Sequence, residues 1–415
     1  MDADEASAIG ARARKIRSRR GLSLDVAAGL AGVTKSYLSM LERGQRGFNR
    51  RGLIEDLAEA LGCSVVDLTG QPYAPPDRGT ADALATVPGI SLAINDCTLD
   101  DVPDLPARPI EQLISAAATA NAHLDAARFS LAGRELGAVL TELHVAVVTG
   151  STDTGRAALA ALAEACLVGA SIARHLGHAD LAVQTARRGY DAAQRLEDPT
   201  RAGLLTMHRA LGLGWIGARH RMSAVLDDAL AGIAADPSAA DTGPAQAAGM
   251  LHLTAALNHA RQKRGRAADD HLDAASELAR HAGEGNVLLQ HFGPVNVATW
   301  GINVAVELGR GPAIAESTYA DVPRLLDTFG SAVRGSALYF DLARAYAQAD
   351  GDRDREAIQC LDAADRMAPQ YVRPDPMARD LVLTLDRRAR RRVWELDSLR
   401  NRFGVGSQGA RSVNN

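Results

Sequence analysis

The stretch that decides the fold of the N-terminal region is Leu22–Arg46, LSLDVAAGLAGVTKSYLSMLERGQR. It predicts two short helices joined by a sharp turn. Ser23 and Thr34 each precede a helical pattern, as N-cap residues do. Gly32, between the helices, tolerates the positive φ that a tight turn needs. We expect the contact between the two helices to be formed by Ala28, Val33, Leu38 and Leu41.

Similar N-cap residues and helix-ending glycines occur before and after Leu22–Arg46. Residues 8–70 are therefore predicted to form a module of five short helices. One helix precedes the quoted stretch at Ile9–Arg20 and ends at a glycine. Another follows at Arg51–Leu61, and Ser64 caps a fifth that runs through Leu68. Glycines after helix ends and short polar residues before helix starts are the usual boundary signals.

The rest of the chain divides into three parts. Residues 71–109 carry seven of the sixteen prolines and are predicted to be a Pro-rich linker with at most short helices, because proline blocks helix interiors. Residues 110–403 are helical by pattern, with breaks that give helix pairs at a spacing of roughly 40–47 residues, as in helical solenoids. Residues 404–415 are polar and Gly-rich and are predicted to be a disordered tail.

Charge is distributed unevenly along the chain. The segment from Ala8 to Gly52 has eleven basic and two acidic residues, a net charge of +9, and because the whole chain carries −4 the remainder carries −13. A small basic module on an acidic body is typical of a nucleic-acid binder, although a charge run is also what a solvated helix face looks like.

Taken together, Leu22–Arg46, the flanking Ile9, Ile16 and Arg17, and the segment Leu57–Leu68 (LAEALGCSVVDL) resemble the helix-turn-helix of the XRE/Cro family. The resemblance implies a lambda-repressor-like domain whose third helix enters the major groove. It places Lys35, Ser36 and Met40 at base-facing positions. Contacts to phosphates, which set register without reading sequence, are expected from Thr34, Arg43, Arg46, Asn49, Arg50 and Arg51. The family usually has glutamine where Leu24 stands here.

A second resemblance concerns the C-terminal region, where a run of residues is similar to a tetratricopeptide repeat (TPR): Tyr339, Leu342, Ala343, Tyr346, Ala357, Leu361, Ala364 and Pro369. The predicted fold is therefore all-α, a five-helix domain followed by a TPR-like α-solenoid. An XRE domain joined to such a solenoid resembles the peptide-responsive quorum-sensing regulators, here of actinomycete type. That resemblance implies a homodimer whose repeat domain senses a peptide or small-molecule effector.

Candidate effector residues are amides and aromatics on the solenoid helices. Asn296, Trp300 and Asn303 share one helix face at i, i+4 and i+7, while Asn258 and His259 lie on an earlier helix. An amide can pair with a peptide backbone as both donor and acceptor. The alternative is that these side chains only face water or a neighbouring turn.

Other classes of function find little support in the sequence. No HExxH, Walker loop or GxSxG occurs, so we expect neither an enzyme nor a cofactor, and His175 with His178 is too sparse for a metal site. Four dispersed cysteines and the absence of a signal sequence or a long apolar run indicate a cytoplasmic protein that does not enter a membrane. The principal alternative is a TPR scaffold or adaptor that recruits a protein partner, with the helix-turn-helix as an interaction module.

Overall fold

The computed structural model describes residues 9–233 and 241–405, and the chain is all-α within these ranges. The N-terminal domain has the five predicted helices: α1 (Ile9–Arg19), α2 (Leu24–Leu30), α3 (Lys35–Glu42), α4 (Arg51–Leu61) and α5 (Val65–Thr69). Their starts are set locally. Ser23 and Thr34 accept hydrogen bonds from backbone N–H groups three residues on, and Ser64 forms a capping box with Asp67. The predicted caps are confirmed.

A helical-repeat region follows. Its first half comprises α6 (Arg78–Leu84), α7 (Val87–Asp96), α8 (Ile110–Asp125), α9 (Phe129–Gly133), α10 (Leu136–Thr149), α11 (Thr152–His175), α12 (Ala179–Leu196), α13 (Pro199–Ile216) and α14 (Arg219–Gly232). The second half comprises α15 (Gly243–Arg261), α16 (Gly265–Ala282), α17 (Pro294–Glu307), α18 (Gly311–Thr318), α19 (Val322–Phe329), α20 (Ala332–Ala347), α21 (Asp354–Met367), α22 (Pro369–Val372), α23 (Pro376–Arg388) and α24 (Trp394–Phe403). Neighbours in sequence pack side by side, most extensively α11 with α12, α15 with α16 and α12 with α13.

The segment predicted to be a linker, residues 71–109, contains short helices as the prediction allowed, but part of it packs into the core of the repeat region. Helices α6 and α7 lie within 71–109, and Ala83, Val87 and Ile90 are buried in the core of the repeat region. Pro88 does not block α7 because it occupies the first turn, where a missing N–H breaks no helical hydrogen bond. Arg188 of α12 clamps the end of α7 by donating to the carbonyls of Ile94 and Cys97.

The N-terminal domain is packed onto the repeat region rather than held at a distance from it. Buried apolar residues of α1–α5 form one continuous cluster with those of α17–α24. In the run that resembles a TPR motif, Leu342, Ala343, Tyr346, Ala357, Leu361 and Ala364 are all buried in this cluster. The boundary predicted at residue 404 also moves, because Val405 is buried there too, whereas residues 406–415 of the predicted tail lie outside the described residues.

One helix, α11, is long and apolar enough by composition to cross a membrane. Of its most apolar window, 78% is buried inside the protein. Its length and hydropathy are thus those of a central core helix, against which α8, α10, α12 and α13 pack.

Stability should fall below neutral pH, in part through His144 of α10. Its Nδ1 lies 2.7 Å from the carbonyl oxygen of Leu140 and its Nε2 lies 2.7 Å from Nη1 of Arg188. Since a carbonyl only accepts and a guanidinium only donates, the ring is neutral. Burial, with Arg188 beside it, lowers the His144 pKa from 6.5 to about 4. A depressed histidine pKa stabilises the fold above the unfolded value and loses that contribution as pH falls.

The measurement is the free energy of urea unfolding between pH 7.5 and 4. At about 1.4 kcal/mol per pKa unit, His144 accounts for up to roughly 3 kcal/mol of the decline, and His144→Gln should remove that part of it. His208, with its pKa lowered to about 3, shifts stability in the same direction and leaves a residual slope. His220→Gln, at an exposed position, is the control and should leave the profile unchanged. An identical pH dependence in His144→Gln and the wild type would contradict the assignment.

Candidate DNA-binding face and central cavity

Helices α2 and α3 meet in the arrangement that the sequence predicts. Gly32 has φ of 63° and turns the chain between them. Ala28, Leu38 and Leu41 are buried at the contact, and Val33 is half-buried against the same cluster. Small side chains on α2 let α3 approach closely, so the orientation of α3 is set by packing.

A second contact fixes α3 from the side of α1. Arg17 donates from Nε to Oε1 of Glu42 at 2.6 Å and from Nη2 to Oε2 at 2.9 Å, and its Nη1 reaches the carbonyl of Leu22. The hydrogen bonds to Glu42 raise the Arg17 pKa. This two-pronged geometry is the strongest form of an arginine–carboxylate pair. It braces the last turn of α3, and Leu24, at the position of the family's glutamine, packs against the domain core instead.

The residues predicted to face bases lie at the start of α3. Lys35 and Ser36 are exposed, and Met40 is half-buried. Lys35 Nζ lies 2.7 Å from Asp25 Oδ2, but both side chains are about two-thirds exposed. Exposed ion pairs contribute little to stability, so Lys35 can exchange this carboxylate for another acceptor at small cost.

The residues predicted to contact phosphates fall into two groups. Thr34 and Arg43 are exposed beside the start and the end of α3. Arg46, Asn49 and Arg50 are half-buried in the loop that faces the repeat region. There Arg46 Nη2 lies 2.7 Å from Asp350 Oδ2, and the carbonyl of Asn49 accepts from Nε of Arg344. The loop thus contacts the repeat region of the same chain.

The prediction that Arg51 contacts phosphate is wrong for this arrangement of the two domains. Its side chain is 1% exposed, and its guanidinium lies 4.0 Å from the ring centroid of Trp215 in α13. Its Nη2 donates to the Trp215 carbonyl and its Nε lies 3.5 Å from Glu55. Contacts inside the protein thus replace the phosphate contact that was predicted for Arg51. A basic loop sequence by itself does not distinguish these two environments of an arginine.

Side chains of the repeat region also complete the backbone hydrogen bonding of the N-terminal domain. Helix α4 starts after Arg50, which caps nothing, and Glu307 of α17 accepts instead from the backbone N–H of Arg51 at 3.0 Å and of Gly52 at 3.1 Å. Asp380 of α23 accepts from Phe48 N–H at 2.8 Å. Glu307 thus substitutes for the missing N-cap of α4 from another domain, and Asp380 satisfies a backbone donor of the preceding loop.

Charge pairs flank this contact. Arg219 donates to Glu55 and Asp56 of α4 and to the carbonyl of Gly52, and Lys263 lies 2.9 Å from Asp56. At Gly52 the backbones come so close that a Cβ would stand 2.4 Å from the carbonyl oxygen of Arg261. The docking of α4 on α13 and α15 is therefore specific, and it fixes the direction in which α3 points relative to the repeats.

A cavity of about 190 Å³ lies on the inner side of the repeat region, lined by α8, α11, α13, α15, α17 and α20. The structure brings Asn296, Trp300 and Asn303 to its wall as one face of α17. Asn296 is fully buried and donates to the carbonyl of Gln290, and Asn303 Oδ1 lies 3.5 Å from Nη1 of Arg344. Both amides thus also have structural partners.

The other two predicted effector residues lie elsewhere. Asn258 is buried and donates to Ser223 Oγ at 2.8 Å. His259 stacks on His271 with ring centroids 5.1 Å apart, on the α16 side of its helix. Neither lines the cavity. Asn258 and His259 project from other sides of α15 than the face that lines the cavity, so their predicted role in effector binding stays a prediction outside this cavity.

Sequence reasoning missed the cationic and aromatic residues of the cavity. Arg174 and His175 come from α11, His208 from α13, Arg334 from α20 and Tyr371 from α22. These residues are far apart in the chain and belong to no motif, so only their convergence in space marks them as a group.

Comparison with known proteins agrees with the geometry of the N-terminal domain. Residues 8–69 match the family model described as a helix-turn-helix domain. The N-terminal domain is thus of the helix-turn-helix class, and the match supports a DNA-binding regulator. No curated protein and no solved structure matches the chain.

Proposed function

We propose that this protein is a sequence-specific DNA-binding transcription regulator that reads the major groove with α3. The observation that carries the proposal is the exposed start of α3, where Lys35 and Ser36 project from a helix held by buried packing and by the Arg17–Glu42 pair. Lysine can donate to guanine O6 and N7, serine to several base edges, and Met40 can contact a thymine methyl group.

Backbone contacts would come from both sides of α3. Thr34 and Arg43 are accessible as they stand, and Arg46 would exchange Asp350 for a phosphate. Asn49 and Arg50 remain candidates at the edge of the docked loop. Arg51 is omitted, since its guanidinium is enclosed by the repeat region.

The repeat region is proposed to dimerise and to sense an effector in a cytoplasmic, regulatory rather than catalytic role. A single recognition helix makes few base contacts, and two half-sites about one helical turn apart double them. The TPR-like motif and the resemblance to quorum-sensing regulators support an effector. The docking of α4 gives an effector a physical route to α3, provided that it binds one domain arrangement better than another.

The experiment is selection of binding sites from random duplex DNA by the purified full-length protein at two salt concentrations, roughly 50 and 150 mM. An enriched inverted repeat is the expected result. Binding without any enriched sequence at either concentration would contradict sequence-specific recognition and favour the adaptor role of the helix-turn-helix.

A further inference from the structure

The cavity carries two arginines without a contacting carboxylate on the side that is formed by α11 and α20. Arg174 and Arg334 both line it, and neither forms an ion pair with a carboxylate among the residues that the structure describes. Arg334 donates to the carbonyl of Gln290 at 3.0 Å, and Arg174 Nη2 lies 2.9 Å from Nε2 of His175. The Nε of Arg174 has no hydrogen-bond partner in the described ranges.

The acidic residues of the cavity wall are engaged by other groups. Asp125 accepts from His291 and Ser331, and Asp341 is paired with Arg344 at 2.8 Å. Asp375 accepts from two backbone N–H groups at the start of α23. None of them is left to neutralise Arg174 or Arg334 at contact distance.

The pKa values of the two arginines reflect this environment. Burial, followed by the charges of Arg261 and Arg334, lowers the Arg174 pKa to about 10, and burial also lowers the Arg334 pKa. Both side chains are half-buried, and Asp375 and Asp125 oppose these shifts without contacting the guanidinium groups. Partial removal of a cation from water without a contacting carboxylate is costly. A protein keeps such an arrangement where a ligand supplies the missing charge, because binding sites sacrifice stability for function.

The rest of the wall sets the size and character of the ligand. Phe129, Met207, Leu211, Trp300 and Tyr371 supply apolar and aromatic surface. An apolar cavity of roughly 150 Å³ is large enough to hold benzene, and this cavity measures about 190 Å³. It therefore has room for a ring-sized body with a short polar group and is too small for an extended peptide.

We propose that the cavity binds a small carboxylate with an apolar, ring-sized body, the carboxylate being held between Arg174 and Arg334. This inference rests on the proposed effector role of the repeat region and specifies the effector's chemistry. Arg51 and Trp215 line the same cavity. Because Arg51 is the first residue of α4, an occupant contacts the DNA-binding domain as well as the repeats, and its binding is sensed where the two domains dock.

The test is direct binding to the full-length protein without DNA, so that its outcome is independent of any operator. The probes are phenylacetate and its neutral isostere phenylacetamide, titrated to about 10 mM in a chloride buffer and followed by calorimetry and tryptophan fluorescence, which Trp215 and Trp300 in the wall make sensitive to occupancy. We expect phenylacetate to bind at least tenfold more tightly than phenylacetamide.

Arg174→Met and Arg334→Met should each abolish this preference, while Arg280→Met, at an exposed arginine paired only with Glu277, should preserve it. The ligand-free Met variants should unfold at the same or a higher urea concentration than the wild type, because a half-buried cation without a contacting carboxylate is removed. Equal binding of the two probes, no binding of phenylacetate at 10 mM, or a marked loss of stability in both Met variants would overturn the proposal. The last result would show that the arginines are structural.

Discussion

Replacing Lys35 and Ser36 together by alanine is expected to abolish the sequence preference of the protein for its selected DNA site. Each good base contact contributes about 1–3 kcal/mol of discrimination, so two such contacts amount to a loss of roughly 30-fold or more in the ratio of specific to non-specific affinity. Both side chains are exposed, and the Lys35–Asp25 pair that disappears is an exposed one. The fold and its unfolding midpoint should therefore not change.

The measurement is a competition titration of a selected duplex against a scrambled duplex at fixed salt. A matched control is the double variant Lys15→Ala plus Ser18→Ala, which removes the same two residue types from exposed positions on α1. The control should keep the preference. If specific and scrambled duplexes weakened equally, Lys35 would be a phosphate contact. If neither weakened, α3 would not be the reading helix.

The second large effect is expected from Glu307→Ala, which should destabilise the protein by about 3–5 kcal/mol, the usual result of removing one partner of a buried ion pair. Glu307 is fully enclosed, lies 2.5 Å from Nη2 of Arg344, and accepts from the N–H groups of Arg51 and Gly52. Several of these groups would lose their partner at once. Burial opposes the ionised form, but Arg344 and the backbone donors keep the Glu307 pKa below its ordinary value.

Because Glu307 lies between the domains, its loss should also separate their unfolding. We expect calorimetry to show an early transition of the N-terminal domain in Glu307→Ala where the wild type shows a more cooperative one. Glu316→Ala is the matched control, since Glu316 is exposed and forms a surface ion pair with Arg353. A change below about 1 kcal/mol in Glu307→Ala, similar to that of a surface pair, would contradict a docked interface held by this carboxylate.

The helix-turn-helix could be predicted in detail because its signals are local. Ser23, Thr34 and Ser64 cap helices through hydrogen bonds that span three residues, and Gly32 turns the chain by its own φ. Such interactions depend on neighbours within one helical turn, which the sequence shows directly. The prediction that Lys35 and Ser36 face bases comes from the resemblance to the XRE/Cro family, and the structure shows both side chains exposed at the start of α3.

The predictions that failed depend on partners far away in the chain. Residues 71–109 were expected to be a linker because the residues that bury Ala83, Val87 and Ile90 lie on other helices of the repeat region. Arg51 was expected on the surface because its partners, Trp215 and Glu307, are more than 150 residues away. Packing also decides which face of α15 lines the cavity, so the sequence did not show that Asn258 and His259 lie off that face.

The sequence by itself determined that this protein carries a helix-turn-helix, because capping, glycine placement and the spacing of small apolar residues act over a few residues. Only the tertiary structure decided that α4 is capped by Glu307, that the basic loop faces the repeats, and that Arg174 and Arg334 share one cavity. Those features arise where segments separated by more than 150 residues pack together and exclude water, so the sequence around each residue does not show which groups will surround it.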